Sequence, residues 1–364
     1  NERSWTARWS DRLLAVIAVL TFLLTVGAIV WSAGTTLGYD FQAYSEAAGR
    51  LLKGERLYDP GVDVAGGFAI YLYPPPFALA VTPYALLAEP VATLAWTATL
   101  LVAFLAGVAL MPVRPMVRWA VILLASIDWP FLYSIKLGQV GPILFLLFAA
   151  GWRWIGRPSH LGSAIGLGAL VKLQPILLLG WAGLLGKWRA IGVAAVVIVA
   201  AGLASVVVGG VQPWIDYPAI LGRVSSPLTT PHNFTPGAIA FQHGAGATVA
   251  GAIQVATLAL VGVAVLVTTR RRELTASYQI AVVGSQLASP LLWDHYAMLL
   301  LLPVAWLLDR GRWWAALVPV ATSIALVGVM PSWIYPLVFG ICLIAPLAFG
   351  APTHAGDPAP DEGG

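Results

Sequence analysis

One apolar run of membrane-crossing length follows another along this chain, and that succession leaves few folds open. Lipid offers the backbone no hydrogen-bond partner, so such runs cross it as helices whose bonds close internally. With 59% of the 364 residues apolar and only 10% charged, the expected fold class is all-α. It is a polytopic membrane protein with roughly ten to twelve transmembrane helices.

Between breakers, the spans fall near 13-34, 91-111, 117-133, 140-155, 190-209, 248-268, 276-291, 296-308, 313-330 and 332-350. The first follows Arg3, Arg8 and Arg12 and has no small-residue cleavage site after it, so it is expected to stay as a helix with a cytoplasmic N-terminus. Two apolar stretches are irregular. Segment 72-88 carries Pro74, Pro75, Pro76 and Pro83 and is read as a short or re-entrant helix. Segment 161-185 has Lys172, Gln174 and Pro175 at its centre, which predicts two half-helices meeting at a polar break.

Basic residues set the orientation. Arg153 and Arg157, Lys187 and Arg189, Arg270 to Arg272, and Arg310 with Arg312 favour the cytoplasm. That leaves 35-70, 134-139, 210-247, 289-295 and 331-332 outside. Arg114 and Arg118 fit the same rule only if 72-88 does not cross fully. The net charge of +4 is explained by these loops without a nucleic-acid partner. A single transmembrane domain over 1-350 is expected, with loops 35-70 and 210-247 on the active face and 351-364 as a disordered tail rich in Pro, Gly, Asp and Glu. The one cysteine, Cys342, excludes an internal disulfide.

Chemistry-bearing residues gather on the outer loops. Asp40 stands between the first span and a stretch, Phe41 to Lys53, whose Tyr44, Ala47, Ala48, Leu51 and Leu52 recur at helical spacing, as in an amphipathic helix on the membrane surface. It serves either as a functional carboxylate or as the N-cap of that helix. Tyr71 and Tyr73 precede a proline run that marks re-entry into the bilayer, and both are possible ligand contacts. Gln139 offers an amide at the outer end of two spans, either to sugar hydroxyls or to a helix start. Lys172 in an apolar run needs an anionic partner. His232 and Asn233 are ligand contacts or plain loop polarity. Asp294, His295 and Tyr296 sit at an outer helix junction, where histidine can donate to phosphate oxygens.

Several patterns are missing: an Asp-x-Asp pair, a Gly-x-x-x-x-Gly-Lys phosphate loop, a His-Glu-x-x-His zinc helix and a Gly-x-Ser-x-Gly elbow. Soluble nucleotide donors and hydrolytic nucleophiles lose support, and neither a metal nor another cofactor is expected.

Taken in order, Tyr39-Asp40-Phe41-Gln42-Ala43-Tyr44, Arg50 to Gly54, Leu57-Tyr58, Tyr73-Pro74-Pro75, Gly138-Gln139, Lys172-Leu173-Gln174-Pro175, His232-Asn233 and Ser289 to His295 resemble glycosyltransferase family 87. The resemblance runs from about residue 10 to 350 and implies a GT-C membrane fold, a polyprenyl-phosphate sugar donor, with mannose as the sugar, and a lipid or glycolipid acceptor. It also implies that Asp40 is the general base and that His295 meets the lipid phosphate. Tyr296 departs from the family, standing where a second histidine often occurs. The basic loops place the site on the periplasmic or exterior face of the inner (plasma) membrane. The physical account of such a site is an inverting displacement, with Lys172 and His295 as the candidate cations for the phosphate and Arg50 or Arg56 behind them. A transporter or flippase of a lipid-linked or small polar substrate is the alternative, with Lys172 at a broken helix as its site.

Overall fold

The computed structural model describes residues 2–58, 70–224, 228, 230 and 232–352, with side chains described from residue 11 onward except at 224. It is 78% helical, and among the described residues no strand forms. Four helical stretches are long and apolar enough to cross a bilayer: Asp11–Thr36, Glu89–Leu110, Trp188–Gly209 and Ala247–Arg271. At about 1.5 Å per residue, a 22-residue helix such as Glu89–Leu110 covers the hydrocarbon thickness of about 30 Å. Much of their apolar surface, including Leu24, Val102, Val207 and Val255, faces outward, as lipid requires.

The remaining apolar runs are cut into shorter pieces, and proline does much of the cutting. Pro75, Pro90, Pro115, Pro130, Pro142, Pro158, Pro175 and Pro236 each stand in the first turn of a helical element, where a missing N–H leaves nothing unpaired. Segment 72-88 forms the helix Pro75–Ala85, whose 11 residues reach about half the hydrocarbon thickness, so it does not cross alone. The predicted break in 161-185 is present: helix Pro158–Val171 ends at an extended Lys172, and a 3-10 turn at Gln174–Ile176 leads into helix Leu177–Leu184.

Two expected spans differ. The run 117-133 is divided into helices Pro115–Ala125 and Trp129–Leu137, because buried Asp128 caps the second by accepting from the Phe131 N–H at 3.3 Å. The run 313-330 is helical only as far as Ala321. Beyond it the backbone pairs with 127-129 instead: Trp129 N–H donates to Thr322 O at 2.9 Å and Ile324 N–H to Ile127 O at 2.8 Å. The Thr322 hydroxyl adds a bond to Asp128 at 2.8 Å. The expected tail falls, from residue 353, outside the described residues, as does 59–69 of the first outer loop.

Helix Tyr39–Leu52 has the predicted amphipathic pattern but not the predicted neighbour. Phe41, Tyr44, Ala48 and Leu51 are buried against helix Pro75–Ala85 and Trp96, while Leu52 is exposed. Aromatic rings decide this: Phe41 stacks on Trp96 at 5.2 Å between centroids, and Tyr44 meets Phe77 edge-on at 5.4 Å.

Two glycines fix where this helix begins. Gly38 and Gly138 both hold left-handed backbone, at φ 74° each, and the Gly38 N–H donates to Lys136 O at 2.8 Å. A Cβ on Gly138 would stand 2.8 Å from Phe41 Cβ and 3.2 Å from Gly38 Cα. The Trp96 indole closes the joint by donating to Gly138 O at 2.7 Å.

The helix ends form two groups. Gly38, Gly138, Lys172 and Asp294 meet at one end of the bundle. At the other, Arg114 pairs with Asp309 at 3.0 Å, Arg310 with Glu273, and Arg272 donates to Gly350 O. Gly138→Ala combines left-handed strain with overpacking and should cost about 2–4 kcal/mol. Thermal unfolding in lipid nanodiscs checks this against Gly180→Ala, whose methyl meets nothing within 4 Å inside helix Leu177–Leu184 and which should unfold no earlier than the parent.

Candidate active site

The joint between Gly38 and Gly138 sets a carboxylate beside an amide. The N-cap of helix Tyr39–Leu52 is Gly38, not Asp40, so the capping role does not occupy the Asp40 side chain. Asp40 lies in the first turn, half-buried, and accepts from Gln139 Nε2. An ionised carboxylate can only accept, so the nitrogen of the amide must face it. Gln139 Oε1 then faces two phenols, Tyr73 at 3.0 Å and Tyr44 at 3.2 Å; their hydroxyls lie 2.7 Å apart, so one phenol donates to the other and the second donates to the amide oxygen. The amide of Gln139 is therefore spent at both ends, orienting Asp40.

Burial raises the pKa of Asp40 above the usual aspartate value. His295, the Gln139 bond and Lys172 oppose that shift, while Asp294 adds to it. These couplings bring His295, Lys172 and Asp294 within Coulomb reach of the same carboxylate. Lys172 arrives from the break after helix Pro158–Val171, where its extended backbone releases it from the helix. Its ammonium lies 3.8 Å over the Tyr296 ring and 5.5 Å from the Tyr73 ring. Tyr296 thus supplies an aromatic face for the cation.

Asp294 and His295 begin a 3-10 helix that runs to Leu300. The His295 N–H donates to Asp294 Oδ1 at 2.8 Å, and the ring Nδ1 stands 3.6 Å from the same oxygen. His295 is 4% exposed, and its burial pushes the imidazole pKa below the usual value despite Asp294. At neutral pH the ring is uncharged.

The other expected residues divide. Asn233 is buried and clamps two loops: its Nδ2 donates to Pro290 O, and its Oδ1 accepts from the Leu292 and Thr235 N–H groups, each at 3.1 Å. His232 is exposed and is not among the groups that act on Asp40. Arg50 donates to Leu57 O at 3.2 Å, and Arg56 forks onto Asp216 with two 3.0 Å bonds, so both hold the first outer loop in place. That guanidinium keeps the Asp216 carboxyl below the usual range. Asp216 and Tyr217, which stacks on Tyr58 at 5.7 Å, were not foreseen, because nothing local in 210-247 signals a partner 160 residues away. Gln174 was passed over as part of a break. Among the described residues no three His, Cys, Asp or Glu side chains are grouped to hold a metal.

A partly open carboxylate, aimed by an amide and faced by a lysine on an aromatic cradle, can take a proton from a hydroxyl while the ammonium meets an anion. The family model for glycosyltransferase family 87 matches residues 71–292, more than half of the chain. Tyr73, Gln139, Lys172, His232 and Asn233 lie within the match, whereas Asp40, Tyr44, Asp294 and His295 lie outside it. No curated protein and no solved structure matches the chain.

Asn233 ties the matched region to the loop that carries Asp294 and His295. Asn233→Ala leaves the Leu292 and Thr235 N–H groups without their acceptor and should cost about 2–4 kcal/mol. Hydrogen exchange at residues 291–296 should accelerate in the variant, and unchanged protection there would remove the clamp from the account.

Proposed function

Because the chain belongs to glycosyltransferase family 87, we propose that this membrane glycosyltransferase moves a hexose, mannose in our reading, from a polyprenyl-phosphate donor to a lipid or glycolipid acceptor. Asp40 is the general base and the outcome is inversion. The single observation that carries the reading is the carboxylate of Asp40 held by Gln139 within Coulomb reach of Lys172.

The acceptor hydroxyl gives its proton to Asp40 as its oxygen attacks the anomeric carbon. A new carbon–oxygen bond forms on one face of the sugar while the bond to the phosphate oxygen breaks on the other. The electron pair leaves with polyprenyl phosphate, a good leaving group without a general acid. Lys172 meets the charge that gathers on the departing phosphate, where a fixed cation in a water-poor site acts most strongly. The arginine-rich end of the bundle supports placing the site on the outer, periplasmic or exterior, side of the plasma membrane, because short basic loops stay in the cytoplasm.

A positioned base contributes about 10²–10⁴-fold. Asp40→Asn should therefore lower kcat by a factor in that range, with KM for the donor changed only a few-fold, when radiolabelled polyprenyl-phosphate mannose is supplied to the protein in liposomes with a lipid extract. Full turnover in that variant removes the base assignment, and sugar flux without transfer would favour a transporter.

The pH profile tests the same group. With its folded pKa raised, Asp40 loses its charge at a higher pH than an ordinary aspartate, so kcat should fall on acidification through that raised value rather than near 3.8. Gln139→Leu removes a bond that favours the charged form and should shift the acid limb further upward. An acid limb that stays in place, together with a raised donor KM, would make Gln139 a substrate contact instead.

A further inference from the structure

Two acceptor atoms at this site have no protein partner, and counting protons decides what can meet them. Gln174 Nε2 donates to Ser289 Oγ at 2.8 Å, and the single hydroxyl proton of Ser289 goes to Leu291 O at 2.6 Å. The serine oxygen can then only accept from Gln174. That fixes the amide with nitrogen toward Ser289 and leaves Oε1, which is buried and unbonded, without a donor.

His295 reaches the same position by a different route. Its Nδ1 faces the Asp294 carboxylate at 3.6 Å, which has no proton to give, so the ring proton belongs on Nδ1 and Nε2 carries a lone pair. Burial keeps the ring neutral. His295 is more than nine-tenths buried, and its Nε2 has no bonding partner.

Tyr296 brings the two together. Its ring meets His295 edge-on at 4.8 Å, its phenol oxygen lies on the N–H side of the Gln174 amide and so does not meet Oε1, and its face carries the Lys172 ammonium at 3.8 Å. A buried acceptor left unpaired costs its full desolvation, so a ligand that supplies the missing proton is favoured there. The phosphodiester of a polyprenyl-phosphate sugar carries no proton at neutral pH and offers only acceptor oxygens, so Gln174 Oε1 cannot bond to it, nor can His295 Nε2 while the ring proton sits on Nδ1. A hexose carries several hydroxyls, each with a proton to donate.

We propose that Gln174 Oε1 and His295 Nε2 form a hydroxyl-reading subsite for the hexose of the donor, beside a lysine that takes its phosphate. The proposal rests on the glycosyltransferase reading above and reassigns His295 from phosphate to sugar. A hydroxyl donates to each acceptor, and the lysine supplies positive charge beside them.

The test uses the full chain in nanodiscs with polyprenyl-phosphate mannose, its monodeoxy analogues, and bare polyprenyl phosphate as a competitive inhibitor. Wild type should lose roughly tenfold in kcat/KM with at least one deoxy donor, the scale of one or two hydrogen bonds in a buried site. Gln174→Leu should lose a similar factor with the complete donor and no longer distinguish that analogue. His295→Gln, which keeps an acceptor, should retain more activity than His295→Phe. The Ki of bare polyprenyl phosphate should stay within about twofold in the Gln174 and His295 variants and rise in Lys172→Met.

A rise of that Ki in Gln174→Leu or His295→Gln would return these residues to the phosphate. Undiminished discrimination in both variants would mean that water alone fills the two positions. Wild type that accepts every deoxy donor equally sinks the subsite and leaves the transferase standing, whereas wild type that transfers from no polyprenyl-phosphate hexose sinks both. If His295→Phe does not fold, Gln174→Leu with the deoxy donors decides.

Discussion

The contact on which this site depends is a close approach of two backbones at Gly38 and Gly138. Neither position tolerates a side chain: Gly138 would drive a Cβ into Phe41, and Gly38 would drive one into Thr93 at 2.7 Å. Because the strands of chain touch there, Asp40 and Gln139, 99 residues apart in sequence, become hydrogen-bonded neighbours. The stacked Phe41 and Trp96 then hold the joint rigid from the apolar side. A carboxylate oriented through such a joint is as well placed as the packing beneath it.

Around that joint the polar groups form a directed chain rather than a set of independent pairs. A pair of hydrogen-bonded phenols donates one proton to the Gln139 oxygen, its nitrogen donates to Asp40, and the charge so fixed is felt by Lys172 and His295. Removing one member leaves a buried partner unpaired, which is why such networks respond more than additively to substitution. Asp294 works in the same way on His295, setting which ring nitrogen carries the proton. Arg56 and Asp216 belong to the scaffold: they bind the first outer loop to helix Gln212–Val224 and leave the proton chemistry to others.

Much of this was readable in the sequence, for definite reasons. The membrane class followed from apolar runs, and the break at Lys172 followed from a lysine and a proline inside one of them. Asp40 and Lys172 stood out because charge beside lipid is costly, and Tyr44, Tyr73, Gln139 and His295 because they lie in outer-face motifs; the structure gathers all six at one end of the bundle. What could not be read was partnership. The Arg56 fork, the Asn233 clamp and the pairing of 322-324 with 127-129 each join segments far apart in sequence, and local pattern carries no record of them. Nor could the direction of an amide be read before its neighbours were known, so Gln139 looked like a ligand contact and Gln174 like a piece of a turn.

Lys172 has one more property that follows from where it rests. Aromatic quadrupoles hold its ammonium, and they attract it without neutralising it. An arriving anion therefore has no tight counter-ion to evict, and the rings remain behind the lysine after the anion departs. On the proposed transferase reading, the electropositive spot would be renewed with each cycle without rebuilding an ion pair, a form of rest state suited to a product that must be let go.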